Sequence, residues 1–193
     1  MRQFAGRKVG LTTVATIMIA LGPMGAITLL SPMVLQLPED TSIGHGLSPT
    51  TAGALQLVLS AVCYSGAWAS GRIAQLFGAR WSLVTACLLY ITGTGLWFFA
   101  TDSLIATVLC LGLVLMGSNA SLPALSNLIV EAVPAEQTGA ATGMNRVALN
   151  VGVAAGTSVT SVILSFWTVS GTNLPTPAAL SAGFVFVIGT ALA

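Results

Sequence analysis

The chain is dominated by long apolar runs that alternate with short polar segments, and this pattern restricts it to few folds. A helix needs about 20 apolar residues to cross the hydrocarbon core of a bilayer. Lipid offers no hydrogen-bond partners, so a crossing segment must satisfy its own backbone groups as a helix. The last run is too short to cross the roughly 30 Å core at about 1.5 Å per residue. The predicted spans are residues 9–35, 49–70, 81–100, 104–130, 139–167 and an incomplete sixth at 178–193.

Composition supports a membrane protein and excludes most soluble classes. Hydrophobic residues make up 55% of the chain, charged residues only 6%, and the mean hydropathy is +0.93. A soluble domain is about 25% charged, so this chain has too few charges to cover a soluble globule. A net charge of +1 without a basic stripe excludes nucleic acid as a partner. We expect an all-α integral membrane bundle of six helices, forming a single transmembrane domain over residues 1–193, surrounded by membrane lipid.

The positively charged residues orient the predicted spans. With a cytoplasmic N-terminus the inside segments are 1–8, 71–80 and 131–138, and no Lys or Arg falls outside. This distribution follows the positive-inside rule and predicts a multi-pass protein of the cell membrane with its N-terminus in the cytoplasm. The first run exceeds the roughly 7–15 apolar residues of a signal peptide, so we expect it to be a retained span. The inside residues are Arg2, Arg7, Lys8, Arg72, Arg80 and, near the start of the fifth span, Arg146.

No residue pattern indicates an enzyme, a cofactor or a metal. Cys63, Cys87 and Cys110 each lie inside an apolar run, which predicts buried thiols rather than disulfides. An intramembrane serine protease would need a nucleophile beside a base. His45 is the one histidine and lies in a predicted external loop, and no Gly-x-Ser-x-Gly elbow is present. We therefore expect a protein that is not an enzyme.

The segment Gly71-Arg-Ile-Ala-Gln-Leu-Phe-Gly-Ala-Arg80 is predicted to be a basic loop between the second and third spans. Gly71 and Gly78 would permit a tight reversal of the chain. Arg72 and Arg80 fall where lipid headgroups or a helix C-terminus stabilise positive charge. Two interpretations stay open, a topology anchor and a hinge between two conformations.

This segment resembles the signature loop of the major facilitator superfamily, Gly-x-Leu-Ala-Asp-Arg-x-Gly-Arg-Arg, which joins the second and third helices of each half. Gln75 stands where the family usually has Asp, and Leu76 where it often has Arg. Such a degenerate copy is common in the C-terminal half of these transporters. The matching positions are Gly71, Ile73, Ala74, Gly78 and Arg80.

Two further stretches are similar to the drug:proton antiporters of that superfamily. One is Leu35-Gln36 followed by Gly46-Leu-Ser-Pro-Thr-Thr-Ala-Gly53. The other is Val133-Pro-Ala-Glu-Gln-Thr-Gly-Ala-Ala-Thr-Gly143, then Arg146 and Gly152-Val-Ala-Ala-Gly156. The resemblance implies the C-terminal half of a multidrug-efflux transporter that exchanges a small molecule for protons. It also implies a fragment that needs an N-terminal half of six to eight helices, or a second copy, to work.

Uncharged polar residues inside the spans are the candidates for a solute pathway. Each has two interpretations, an interhelical hydrogen bond or the lining of a cavity. Arg146 also has two interpretations: its side chain either reaches the inner membrane interface or faces the cavity. All acidic residues fall in predicted loops, so the carboxylates of a proton antiporter are expected in the other half. The candidate lining residues are Gln36, Asn119, Ser121, Asn127, Arg146 and Asn150.

Small and aromatic residues predict how the helices pack. Glycine lets helices approach closely in lipid, and the fifth span carries Gly139, Gly143, Gly152 and Gly156. Gly22-Pro23 predicts a kink in the first span. Trp68, Trp81 and Trp97 lie near span ends and predict an aromatic belt at the interfaces. The alternative hypothesis for the whole chain is that it is a small self-assembling membrane channel or a structural membrane protein.

Overall fold

The computed structural model describes residues 2–38, 44–99, 103–166 and 176–192, and over these residues it is helical without a β-strand. The all-α prediction is confirmed. The predicted external positions 39–43, 101–102 and 170–175 lie outside the described residues. The helices are α1 Arg2–Ile19, a π-helical segment Ala20–Ala26, α2 Ile27–Gln36, α3 Pro49–Phe77, α4 Ala79–Phe99, α5 Leu104–Ala132, a short 3₁₀ turn Ala135–Gln137, α6 Thr138–Phe166 and α7 Pro177–Leu192.

Several helices are long and apolar enough to cross a bilayer. Among the described residues there are four of them, Val9–Gln36, Pro49–Phe77, Leu104–Ala132 and Ala135–Phe166. Ala178–Ala191 is apolar but shorter. The prediction of a membrane protein is confirmed, and α4 fills the position of the third span with 21 residues.

The first span is one continuous helix whose middle is widened. α1 begins at Arg2, so the basic N-terminal segment is part of the helix rather than a loop before it. The π-helical segment contains Pro23, and α2 follows without a break. Proline lacks an N–H and disturbs the hydrogen-bond ladder. A π-turn accommodates that defect with one extra residue. It lies where the sequence predicted a kink, and Pro and π-turns are both causes of kinks.

Two sequence signals mark the start of α3. The Ser48 hydroxyl oxygen accepts a hydrogen bond from the Thr51 backbone N–H at 3.2 Å, and Pro49 takes the first helical position. Both residues are favoured there because the first N–H groups of a helix have no partner within it. The preceding loop is held to the start of α5, where the His45 ring nitrogen Nε2 lies 3.0 Å from the Thr107 hydroxyl.

The helices form two groups around α5. α5 packs against α3 and α4, while the π-helical segment packs against α6 and α7. In the 18-residue apolar stretch of α5, half of the residues are buried. The corresponding fraction is 22% in α3 and 28% in α6. α5 is therefore central, and α3 and α6 leave most of their surface uncovered.

The contact between α4 and α7 corrects one prediction. The Trp97 ring packs against Phe184 with ring centroids 4.8 Å apart, and Trp97 is fully buried. It is not part of an interfacial belt, because α7 covers this face of α4. Trp68 and Trp81 are both exposed, as residues of such a belt would be.

Candidate functional site

A half-open polar cavity lies between α3 and α5, about halfway along both helices. Its volume is about 250 Å³, and Cys63 at its wall is the central residue of α3. From there the cavity extends toward the N-terminal end of α3 by about 10 Å at 1.5 Å per residue. We call it the mid-depth cavity. Its lining residues are Gln56, Ser60, Cys63, Tyr64, Leu115 and Asn119.

The polar side chains of this cavity are only partly satisfied by the protein. The Gln56 amide donates to the Ser31 hydroxyl of α2 at 2.9 Å. The Asn119 amide donates to the Leu115 carbonyl of its own helix at 3.0 Å. Ser60 donates to the Gln56 carbonyl at 2.8 Å. Asn119 thus makes no bond to a neighbouring helix among the described residues, which favours the cavity-lining interpretation over interhelical bonding for this residue.

The other predicted lining residues lie elsewhere. Ser121 is buried and donates to the Ser118 carbonyl of its own helix at 2.6 Å. Gln36 is exposed at the end of α2, and Asn127 is exposed near the C-terminal end of α5. Arg146 and Asn150 are exposed one turn apart on α6, which does not line the mid-depth cavity.

Five of the six lining residues were not candidates in the sequence. Gln56, Ser60 and Tyr64 belong to α3, whose polar residues sit among leucines and valines. The signal that would have found them is their spacing, because positions 56, 60 and 64 recur every four residues and share one helix face. The partner residue Asn119 comes from a helix far away in sequence, so the pairing itself leaves no mark in the sequence.

A second polar contact fixes the widened turn of the first span. The buried Tyr90 hydroxyl of α4 donates to the Pro23 carbonyl oxygen at 3.0 Å. A cavity of only about 10 Å³ lies beside this bond and is lined in part by Ser118 and Ser121. The bond ties the π-helical segment to α4, although α6 and α7 are its main packing partners.

The glycines of α6 behave in two ways. A Cβ built on Gly152 would lie 2.6 Å from the Ala20 side chain, and one on Gly156 would overlap the Leu21 carbonyl group. These two glycines therefore allow α6 to approach the first span closely. Gly139 and Gly143 have nothing within 4 Å of such an atom, so the predicted close packing does not occur there. They lie in the first turns of α6, on its exposed side.

The predicted loop at residues 71–80 is almost entirely helical. α3 continues through Gly71 and Arg72 to Phe77, and α4 starts at Ala79, so Gly78 alone separates the two helices. Arg72 and Arg80 are exposed, and the Arg72 guanidinium carbon lies 5.3 Å from the Trp68 ring centroid. That distance is within cation–π range.

Hydrogen bonds close to this reversal join three helices. The buried Ser70 hydroxyl lies 2.6 Å from both the Ser82 hydroxyl and the Ala120 carbonyl oxygen. The Ser82 hydroxyl also lies 2.8 Å from the Ser70 carbonyl oxygen. The cluster joins α3, α4 and α5, which was not expected from the sequence.

Two larger cavities, between the start of α4 and the C-terminal end of α5, are mainly apolar. Their volumes are about 510 and 480 Å³, and both are lined by Arg80, Val84 and Glu131. They lie at the helix ends, where headgroups and lipid chains meet. Within the described residues, no three His, Cys, Asp or Glu side chains come together as metal ligands.

Comparison with known proteins gives two findings. A family model described as the Major Facilitator Superfamily matches residues 10–193. The chain is also 32% identical over 125 residues to a tetracenomycin C resistance and export protein from Streptomyces glaucescens. That alignment covers 63% of this chain and 23% of the relative, so the match spans about a quarter of the relative's length.

Proposed function

The chain belongs to the major facilitator superfamily of membrane transporters, and on that premise we propose that its six helices form the C-terminal half of a secondary transporter that exports small molecules. Transporters built from repeats hold their substrate near the bilayer midplane, between two halves. The chain is not an enzyme. The similarity to a resistance and export protein supports efflux as the direction of transport.

The observation that carries the proposal is the position of the mid-depth cavity. Polar side chains at bilayer depth face protein or a water-filled cavity, because exposure to lipid leaves their hydrogen bonds unmade. Ser60 and Tyr64 are exposed and line this cavity instead of packing between helices. The cavity is one wall of the proposed substrate pathway, and the opposite wall would come from an N-terminal half or a second copy.

We propose proton antiport as the driving reaction. The support is the similarity of residues 46–53 and 133–156 to the drug:proton antiporters. The described acidic residues Glu131 and Glu136 lie at the inner end of the bundle rather than at mid-depth. A proton-carrying carboxylate would therefore belong to the other half.

We further propose a cell-membrane location with a cytoplasmic N-terminus. In this orientation the reversal at Gly78 and the turn between α5 and α6 face the cytoplasm. The distribution of Arg72, Arg80 and Arg146 toward that side supports it.

The test is transport into inverted membrane vesicles that contain the protein together with an N-terminal transporter half, with an imposed proton gradient and a panel of fluorescent small molecules. We expect gradient-dependent uptake. Replacing Asn119 with alanine removes a polar contact worth about 0.5–1.5 kcal/mol, so the KM should rise by a few-fold to about tenfold. Thr92→Ala is the matched control, because Thr92 is an exposed residue of α4 whose hydroxyl bonds only its own helix among the described residues.

Two results would contradict the proposal. Uptake that does not respond to collapse of the proton gradient would exclude antiport. A stable homo-oligomer that conducts ions without saturable uptake would instead favour the channel alternative.

A further inference from the structure

We infer that the mid-depth cavity binds the uncharged, hydrogen-bonding part of an aromatic small molecule. This inference rests on the proposed function, because it assigns a ligand class to the same cavity. It concerns selectivity, which neither the family nor the relative specifies for this chain. Three properties of the lining support it.

The first property is the absence of charge. Gln56, Asn119 and the other four lining side chains are all uncharged. Arg146, the charged residue well inside a span, belongs to α6, which is not part of the lining. A ligand that fills the cavity displaces its water, so a charged group placed there loses hydration without gaining a counter-ion, which is strongly unfavourable. The cavity therefore discriminates against ligands that place a formal charge in it.

The second property is unused hydrogen-bonding capacity. Gln56 and Asn119 each use an amide N–H within the protein. Their amide oxygens have no protein partner among the described residues, so both are available to accept. The Tyr64 hydroxyl, with no recorded protein partner in that part of the chain, supplies a donor. Hydroxyl, amide or phenol groups on a ligand would satisfy these groups.

The third property is an uncovered ring. Tyr64 is 78% exposed although it lies near the middle of α3. An aromatic ring at this depth prefers stacking partners over water. Leu115 provides an apolar surface on the opposite helix. A planar aromatic ligand would cover both while its polar groups reach the two amides.

The experiment measures thiol labelling in the full chain in membrane vesicles, with Cys63, Cys87 and Cys110 replaced by serine. Ser60→Cys places a reporter thiol in the cavity. Val58→Cys is the matched control, because Val58 is 60% exposed on the same helix and does not line the cavity. We expect a water-soluble methanethiosulfonate to label the Ser60→Cys variant quickly and the Val58→Cys variant slowly.

The ligand class is then tested by protection. The probes share one ring system: 2-naphthol is neutral, 2-naphthyltrimethylammonium is cationic and 2-naphthalenesulfonate is anionic. We expect 2-naphthol to slow labelling of the Ser60→Cys variant at a concentration at least about tenfold lower than either charged analogue needs. If the Ser60→Cys variant fails to fold, Gln56→Cys at a half-buried position of the same lining serves as the reporter.

A charge introduced into the lining should reverse the preference. Asn119→Asp nearly conserves the shape of the side chain and supplies a counter-ion. In this variant the cationic analogue should protect at a lower concentration than 2-naphthol does. A merely structural role for Asn119 would leave the order of the three probes unchanged.

The outcomes separate this inference from the proposed function. If the Ser60→Cys variant labels as slowly as the Val58→Cys variant, the cavity is not open to water and both proposals fail. If it labels quickly but the charged probes protect as well as 2-naphthol, or none protects, the ligand class is wrong. The water-filled pathway of the proposed function then stands.

Discussion

At the scale of single residues, Gly78 decides the geometry between the second and third spans. Its φ of +94° and ψ of 160° fall in a region that is essentially restricted to glycine. Its N–H bonds the Ala74 carbonyl at 3.0 Å and its own carbonyl accepts from the Ser82 N–H at 3.3 Å. One residue thus ends α3 and starts α4.

The two glycines of this segment should respond in opposite ways to alanine. Gly78→Ala forces a side chain into a strained backbone and should destabilise the protein by about 1–3 kcal/mol. Gly71→Ala, inside α3 with open space around a new Cβ, should stabilise it by roughly 0.5–1 kcal/mol. Thermal unfolding in detergent measures both. Equal effects of the two substitutions would show that the backbone at Gly78 does not limit stability.

At the scale of elements, the π-helical segment links the two groups of helices. Gly25 lies so close to α6 that a Cβ there would stand 2.7 Å from the Val153 carbonyl oxygen. On its other side the Pro23 carbonyl accepts the Tyr90 hydroxyl bond from α4. The widened turn is therefore held from two directions.

The Tyr90→Phe substitution should loosen this turn. It leaves the ring in place but removes the donor to the Pro23 carbonyl, and interhelical bonds in membranes contribute about 0.6–1.7 kcal/mol. We expect a lower unfolding temperature and faster backbone hydrogen exchange in residues 20–28, measured by mass spectrometry. Tyr64→Phe is the control, because Tyr64 is exposed on α3. If the two variants exchange alike in that peptide, the bond does not hold the turn.

At the scale of the whole molecule, the exposed surface is concentrated on α3 and α6. Large apolar side chains on both helices are uncovered, among them Leu57 and Val58 on α3 and Val147 and Val151 on α6. A bilayer or another transporter half would cover such surfaces. Both surfaces are compatible with the proposed orientation, which the positive charges alone select.

Epitope tags test that orientation. A tag inserted between Pro38 and Gly44 should be stained by antibody in intact cells. A tag at the N-terminus, or one inserted after Gln137, should be stained only after the membrane is permeabilised. The physical reason is the excess of Lys and Arg on the second set of segments. The reverse pattern of staining would mean that the N-terminus is outside.

The sequence by itself determined the membrane fold. In lipid each helix satisfies its backbone hydrogen bonds within its own segment, so apolar run length is enough to predict α3, α5 and α6. Residues 71–80, between the second and third spans, also carried the resemblance to the family. Their local structure differed, because residues 71–77 continue the helix and only Gly78 leaves it.

Only the tertiary structure decided which side chains meet. Asn119 was a candidate, but its cavity partner Gln56 and the Tyr90 bond to Pro23 come from helices far apart in sequence. Trp97 and Trp68 both lie near the end of a predicted span, yet α7 buries Trp97 and Trp68 stays exposed. Apolar run length fixes each helix separately. The rotation of each helix about its axis, and hence the site, depends on contacts that the linear pattern does not record.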